Sequence, residues 1–253
     1  MLRKIHFTNT AKIITAIVVV AAVIGFAERK NNGNVCSDIV IKIDNQHNNY
    51  FVDEADILSL MTAGGEEVIV GNTFDDLNLK AIEQRVNEEP FIRDVEIYKD
   101  LKGNMLVHAE LRRPFARVVG AKQQGYIAMD GTFLPISSNY TTRAIILSGK
   151  YFEKNSEPSL LTTAQGKQIF ELLNFIYNDK FWKAQIAQID VDEDLDMIMY
   201  PQVTKQKIEF GTPEEYKGKF KKLKIFYKRI LPQKGWNSYE RVNLKYKDQI
   251  IAE

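Results

Sequence analysis

Hydrophobic positions along this chain fall into two regimes. From Ile13 to Ala27 the run IITAIVVVAAVIGFA carries no charge and no alternation. Beyond the polar connector ERKNNGN, apolar residues recur in short segments at strand or helix spacing. Ile39, Ile41 and Ile43 alternate with Val40 and Lys42 and predict a strand. In VDEADILSLM, Ile57, Leu60 and Met61 share a helical face, with Asp53 placed to cap it. A second helix is predicted over Leu77 to Asn87, where Leu79, Ile82 and Val86 lie on one side and Pro90 ends it. A hairpin follows: Val95 and Ile97 on one arm, Met105, Val107, Ala109 and Leu111 on the other, joined by Asp100 to Asn104 with Gly103.

The second half continues the mixture. Strands are predicted over Tyr126 to Met129, Thr132 to Ile136 and Ala144 to Leu147, the first two joined by Asp130-Gly131, a pair suited to positive backbone angles. Ile169, Leu172, Leu173 and Ile176 mark a helix over Thr163 to Tyr177. The strands AQIDV, MIMYPQV and QKIEFG follow. Thr212, Pro213 and Glu215 read as a capping box opening a helix whose inner side holds Tyr216, Phe220, Leu223, Phe226, Tyr227 and Ile230. Tyr239 to Ile251 then alternates Val242, Leu244 and Tyr246 with Arg241, Asn243, Lys245 and Lys247, which predicts one long edge strand. After Lys247 the alternation loosens.

The apolar N-terminal run changes the picture most. A bilayer core takes roughly 20 helical residues, reached here if Thr10 and Ala11 join the helix and Lys12 snorkels to the headgroups. Arg3, Lys4 and Lys12 then favour a cytoplasmic N-terminus. The competing reading is a cleaved signal peptide, with the small residues Gly25 and Ala27 before the cut. Both place everything after Glu28 outside the cytoplasm.

Composition narrows the rest. The chain has 253 residues, 45% of them hydrophobic, enough for one large core or two small ones. With 34 Lys+Arg against 33 Asp+Glu, no net field gathers nucleic acid. Cys36 stands alone, which rules out an intramolecular disulfide and any cysteine cluster for metal.

The order strand, helix, helix, strand, strand, closing on RRPFARV, resembles the POTRA module. The next stretch, YIAMDGTFLPISSNYTTRAIILSG, resembles the opening of the second domain in the cell-division FtsQ (DivIB) family, and the later elements keep that family's order. The fold class expected is α+β: a transmembrane helix, a small POTRA domain, and a larger mixed α/β domain with an antiparallel-rich sheet. The expected divisions are a cytoplasmic N-terminus 1–12, the span 13–27, a connector 28–37, the POTRA domain 38–113 and the second domain 114–253.

The resemblance implies a single-pass scaffold of the inner membrane at the division septum, with its C-terminal domains in the periplasm. It implies binding to bitopic proteins of the FtsB and FtsL type through the closing strand, and to other division proteins through the POTRA domain. The matching positions are Arg241, Asn243, Lys245, Tyr246, Lys247 and Asp248, Tyr246 facing either the partner or the core. The bilayer meets residues 13–27, and neither nucleic acid nor a cofactor is expected. The alternative is a signal-peptide-bearing exported ligand-binding protein or hydrolase.

Candidate chemistry is thin. In DVDEDLD, Asp190, Asp192, Asp194 and Asp196 have the spacing of four calcium-loop ligands, but Leu195 replaces the glycine and Pro201 the bidentate glutamate, so an acidic turn is expected. His6, His47 and His108 have no partner at metal or triad spacing, and Gly64-Gly65 lacks a phosphate-loop pattern. Lys217, Lys219, Lys221, Lys222, Lys224, Lys228 and Arg229 read as the solvated face of their helix, and Arg112 and Arg113 as structural. No catalytic site is expected.

Overall fold

The structure, a computed structural model, describes residues 14–24, 35–44 and 49–253. Residues 14–24 form a helix, α1, exposed along its length. Among the described residues no helix is long and apolar enough to cross a membrane. The ends of the expected span, and His6 and His47, lie outside the described residues. The remainder divides into two compact units, one holding residues up to Asp44 and Val52–Glu110, the other Asn45–Phe51 and Leu111–Glu253.

The first unit is the strand, helix, helix, strand, strand set: β1 (Ile39–Asp44), α2 (Glu54–Met61), α3 (Leu79–Asn87), β2 (Ile92–Lys99) and β3 (Met105–Leu111). The sheet order is β1-β3-β2, with β1 and β3 parallel from Ile39↔Met105 to Asp44↔Glu110. Asp53 caps α2 by accepting from Asp56 N–H at 2.9 Å, and the Asp56 carboxylate accepts from Asp53 N–H at 3.0 Å. At the other end Arg85 donates to the Leu60 and Met61 carbonyls at 3.3 and 2.9 Å, in the last turn of the helix. Ile57, Met61, Ile82 and Val86 cover the strand residues Val95, Ile97, Met105, Val107 and Ala109, all buried. The hairpin turn is fastened by Asp100, whose carboxylate accepts from the Lys102 and Asn104 N–H groups at 2.8 Å each.

The second unit is built on nine strands in the order β12-β11-β10-β9-β8-β7-β4-β5-β6. They are β4 (Pro114–Val119), β5 (Gln124–Ala128), β6 (Phe133–Leu134), β7 (Ile145–Ser148), β8 (Ile186–Val191), β9 (Met197–Pro201), β10 (Lys207–Gly211), β11 (Arg241–Asn243) and β12 (Ile251–Ala252). Three pairs are parallel, β4/β7, β7/β8 and β10/β11, and the other five antiparallel, which makes the sheet mixed. The β7 to β8 crossover carries α4 (Lys150–Lys154), α5 (Ala164–Asn178) and α6 (Lys180–Gln185). The β10 to β11 crossover carries α7 (Tyr216–Ile225), a π turn (Phe226–Ile230) and α8 (Leu231–Lys234). α5 starts where Thr163 accepts from Gly166 N–H at 2.9 Å, and buries Ile169, Leu172, Leu173 and Ile176. Trp182 of α6 lies against Phe220 of α7 with ring centroids 4.8 Å apart, so these helices meet over one sheet face.

Several expectations are corrected here. Asp130 is not left-handed; Gly131 alone has positive φ, at +83°, and its N–H bonds the Ala128 carbonyl at 2.9 Å. That is a tight turn followed by one left-handed residue, which glycine adopts without strain. β6 is two residues long, with Pro135, which has no N–H for the ladder, directly after it; on its other side Phe133 N–H bonds the Pro158 carbonyl at 2.8 Å and Leu160 N–H the Gly131 carbonyl at 3.0 Å. No capping box opens α7: its N-cap is Glu215, left-handed at φ +50°, without a side-chain cap. Ile230 is exposed and Leu231 buried instead, since the wider π turn rotates the next residues past the face that a continuous α-helix would keep. The long edge strand is interrupted, as described below.

Asp130 yields a pH prediction. Burial pushes its carboxyl up, but bonds from the Thr132 N–H and hydroxyl and the Arg112 guanidinium outweigh it and hold the group below its ordinary range. A depressed folded value contributes stability that is present above the unfolded value of about 3.9 and lost as pH falls through the folded one. Asp130→Asn should therefore lower the melting temperature at about pH 6, and the difference should shrink progressively as pH falls below about 3.9. A difference that is constant across those melts contradicts this account.

Candidate partner-binding edge

β11 does not end the sheet. It lies between β10, to which it is parallel from Lys207↔Arg241 to Glu209↔Asn243, and β12, to which it is antiparallel through Val242↔Ala252 and Asn243↔Ile251. The ladder stops at Asn243, whose side-chain oxygen accepts from Lys245 N–H at 2.9 Å and so offers the backbone a turn in place of extension. Residues 244–250 form the bend, and β12 returns as the outermost strand on that side.

The six positions singled out in the sequence are therefore distributed over strand and bend. Arg241 pairs with Glu253 at 2.6 Å and Glu209 at 3.4 Å. Asn243 donates to Glu209 at 2.6 Å, and Lys245 reaches Asp196 at 2.6 Å. Val242 and Leu244 are fully buried, but Tyr246 leaves their register and is half exposed. Lys247 and Asp248 are exposed in the bend. Arg241 and Asn243 have their backbones inside the sheet, which corrects the reading of 239–251 as the edge.

Register identifies the groups that do face outwards. Glu253 N–H bonds the Arg241 carbonyl and Arg241 N–H the Glu253 carbonyl, each at 3.0 Å. Such reciprocal pairs alternate with pairs that turn their backbone groups away from the neighbour. Ala252, opposite Val242, is one of the latter, so its N–H and C=O point off the sheet. Sequence reasoning missed Ile251, Ala252 and Glu253; the signal was the polar stretch KDQ, which interrupts the alternation before two apolar residues.

Elsewhere the acidic cluster does not converge. Asp190 accepts from the Ser148 hydroxyl at 2.7 Å, Asp192 from the Asp194 and Asp196 N–H groups at 2.9 and 2.8 Å, and Asp196 faces Lys245. Leu195 is left-handed with its side chain buried. Among the described residues, no three His, Cys, Asp or Glu side chains gather to hold a metal. An open groove of about 810 Å³ runs along α5, lined by Phe170, Phe175 and Tyr216 with Lys167, Glu171 and Lys217 among others, and contains no Ser, Cys or His. The basic run of α7 is not uniformly solvated: burial pushes the Lys219 ammonium down in pKa, and it donates to the Thr212 carbonyl at 2.7 Å, while Lys224 pairs with Asp179 at 3.4 Å.

A small three-stranded α/β unit followed by a larger mixed-sheet unit with a short outermost strand is a two-unit α+β architecture. Residues 34–110 match a family model described as a POTRA-like domain. Residues 113–253 match the model described as FtsQ/DivIB, C-terminal related. The chain belongs to the FtsQ/DivIB family, with a POTRA module preceding its second domain, and is a cell-division protein. Proteins of this family act by protein–protein interaction in the division machinery, and its domains are non-catalytic. A search of curated proteins finds no match to the chain.

Proposed function

We propose that the chain is a single-pass scaffold of the inner membrane that recruits companion bitopic proteins of the FtsB and FtsL type at the septum and thereby helps to regulate septal wall synthesis. The observation that carries this reading is the outward-facing backbone of Ala252 on a two-residue outermost strand. An extended segment adds there as a further strand, its backbone providing affinity and its side chains register. Tyr246, Lys247 and Asp248 flank that edge and contact the incoming chain, with Arg241, Asn243 and Lys245 shaping the surface behind. The POTRA unit, 38–113, serves other division proteins, and residues 13–27 sit in the bilayer with the N-terminus in the cytoplasm and both later domains, 38–113 and 114–253, in the periplasm.

The intact protein, purified from membranes, is expected to carry its companion bitopic proteins with it and to remain in the membrane fraction after alkaline washing. Release by the wash removes the anchor; retention without companions removes the recruiting role.

A further inference from the structure

The bend between β11 and β12 is gripped from behind by one side chain. Lys222, half-buried on α7, donates from its ammonium to the carbonyls of Leu244 at 3.3 Å, Tyr246, and Gln249 at 3.4 Å. An ammonium has three protons to give, and all are spent on one loop. The other ties hold the ends of that loop: Asn243 and Asp196 restrain Lys245, while Glu240 and Arg241 bond Glu253. Lys222 reaches its middle.

We propose that Lys222 is a positioning residue for partner binding. Its ammonium fixes the path of residues 244–250, which sets both the place of the exposed Tyr246 ring and the alignment of β12. This inference rests on the recruiting edge argued above. Without the clamp, the bend samples other paths, the competent arrangement is only partly populated, and apparent affinity falls by that fraction. The basic run of α7 thus contains, beside Lys219, a second cation assigned to backbone carbonyls rather than to solvent. Methionine at this position keeps an apolar stem of similar reach and removes every donor. Arginine keeps the charge and several donors in a different geometry.

The test uses the full-length protein in detergent, in the forms Lys222→Met and Lys222→Arg. Amide hydrogen exchange is followed first without any partner. In Lys222→Met, amides over 244–253 are expected to exchange about tenfold faster or more, the factor that a lost hydrogen bond to a charged group represents. Amides of β8 and β9 should keep their rates, and Lys222→Arg should fall between. Unchanged exchange over 244–253 overturns the proposal, and so does faster exchange spread evenly over the whole second unit, which would make Lys222 a general stabilising residue. Capture of the FtsB- and FtsL-type proteins is then measured: a loss in Lys222→Met, partly restored in Lys222→Arg, supports the clamp as a determinant of affinity, and equal capture by all three forms overturns it. If the parent itself captures nothing, the recruiting edge is refuted, while the exchange result still decides whether Lys222 holds the loop.

Discussion

Replacing Trp182 by alanine should destabilise the second unit by about 3–5 kcal/mol, the usual cost of emptying a large aromatic site in a packed core. Trp182 is 1% exposed, and its ring meets those of Phe181 and Phe220 at 4.8 Å and Tyr227 at 6.0 Å. These residues come from α6, α7 and the π turn, so the indole is the shared surface on which the two crossovers meet. Domains of ordinary size are stable by about 5–15 kcal/mol, which makes this loss a large fraction of the whole. For a unit of this size it corresponds to a drop in melting temperature of roughly 10 °C or more. The chain's other tryptophan supplies the control. Trp236 is 47% exposed and meets the cluster through Tyr227, ring centroids 6.2 Å apart, so Trp236→Ala should cost about 1 kcal/mol, while the Gln206 bond to its backbone carbonyl is kept by any residue. Thermal melts of the two variants decide the matter, and equal losses would mean that the aromatic cluster does not carry the core.

Elements specified by their own residues were legible in the sequence. Asp53 sits three residues before its partner Asp56, Thr163 three before Gly166, and Asp100 four before Asn104, so α2, α5 and the first hairpin appear at once from spacing. Where the deciding contact comes from far along the chain, local pattern misled. The outer side of β6 is held by residues 158–160, and the loop after the turn at Asn243 is gripped by a lysine 22 residues before Leu244. The alternation of Val242, Leu244 and Tyr246 predicts one face for all three, and it holds for the first two only because Leu244 N–H still bonds the Glu209 carbonyl at 2.9 Å, a contact that its successors lack. The π turn is similarly invisible: FYKRI has no residue that announces it, yet it decides that Leu231 rather than Ile230 is buried. The left-handed backbone of Glu215 is shown by the structure, and nothing in its surroundings explains it. The six residues chosen all lie in β11 or its bend, whereas β12 was not legible as the outermost strand, because two residues leave no period to read.

That difference gives the sharpest expected contrast among variants of the proposed recruiting edge. A continuous strand over 239–251 would make proline at Lys247 disruptive, since it would remove a ladder donor. In the structure Lys247 lies in the exposed bend, so Lys247→Pro should keep the fold and cost capture only the Lys247 contact and a local shift of the bend, a smaller loss than Ala252→Pro causes. Ala252→Pro is the opposite case. Its lost N–H points off the sheet, while the bonds between Glu253 and Arg241 that hold β12 in place are untouched. An incoming strand then lacks one acceptor's partner and meets a pyrrolidine ring at the edge, so capture of the companion proteins should fall about tenfold or more. Tyr246→Ala should weaken capture further, by about thirtyfold, if the half-exposed ring becomes an interface anchor worth about 2 kcal/mol. Circular dichroism of each variant, recorded beside affinity for the companion proteins, separates binding from folding. Should folded Ala252→Pro capture its companions as the parent does, β12 is not where the partner strand adds, and the search moves to other surfaces of the second unit.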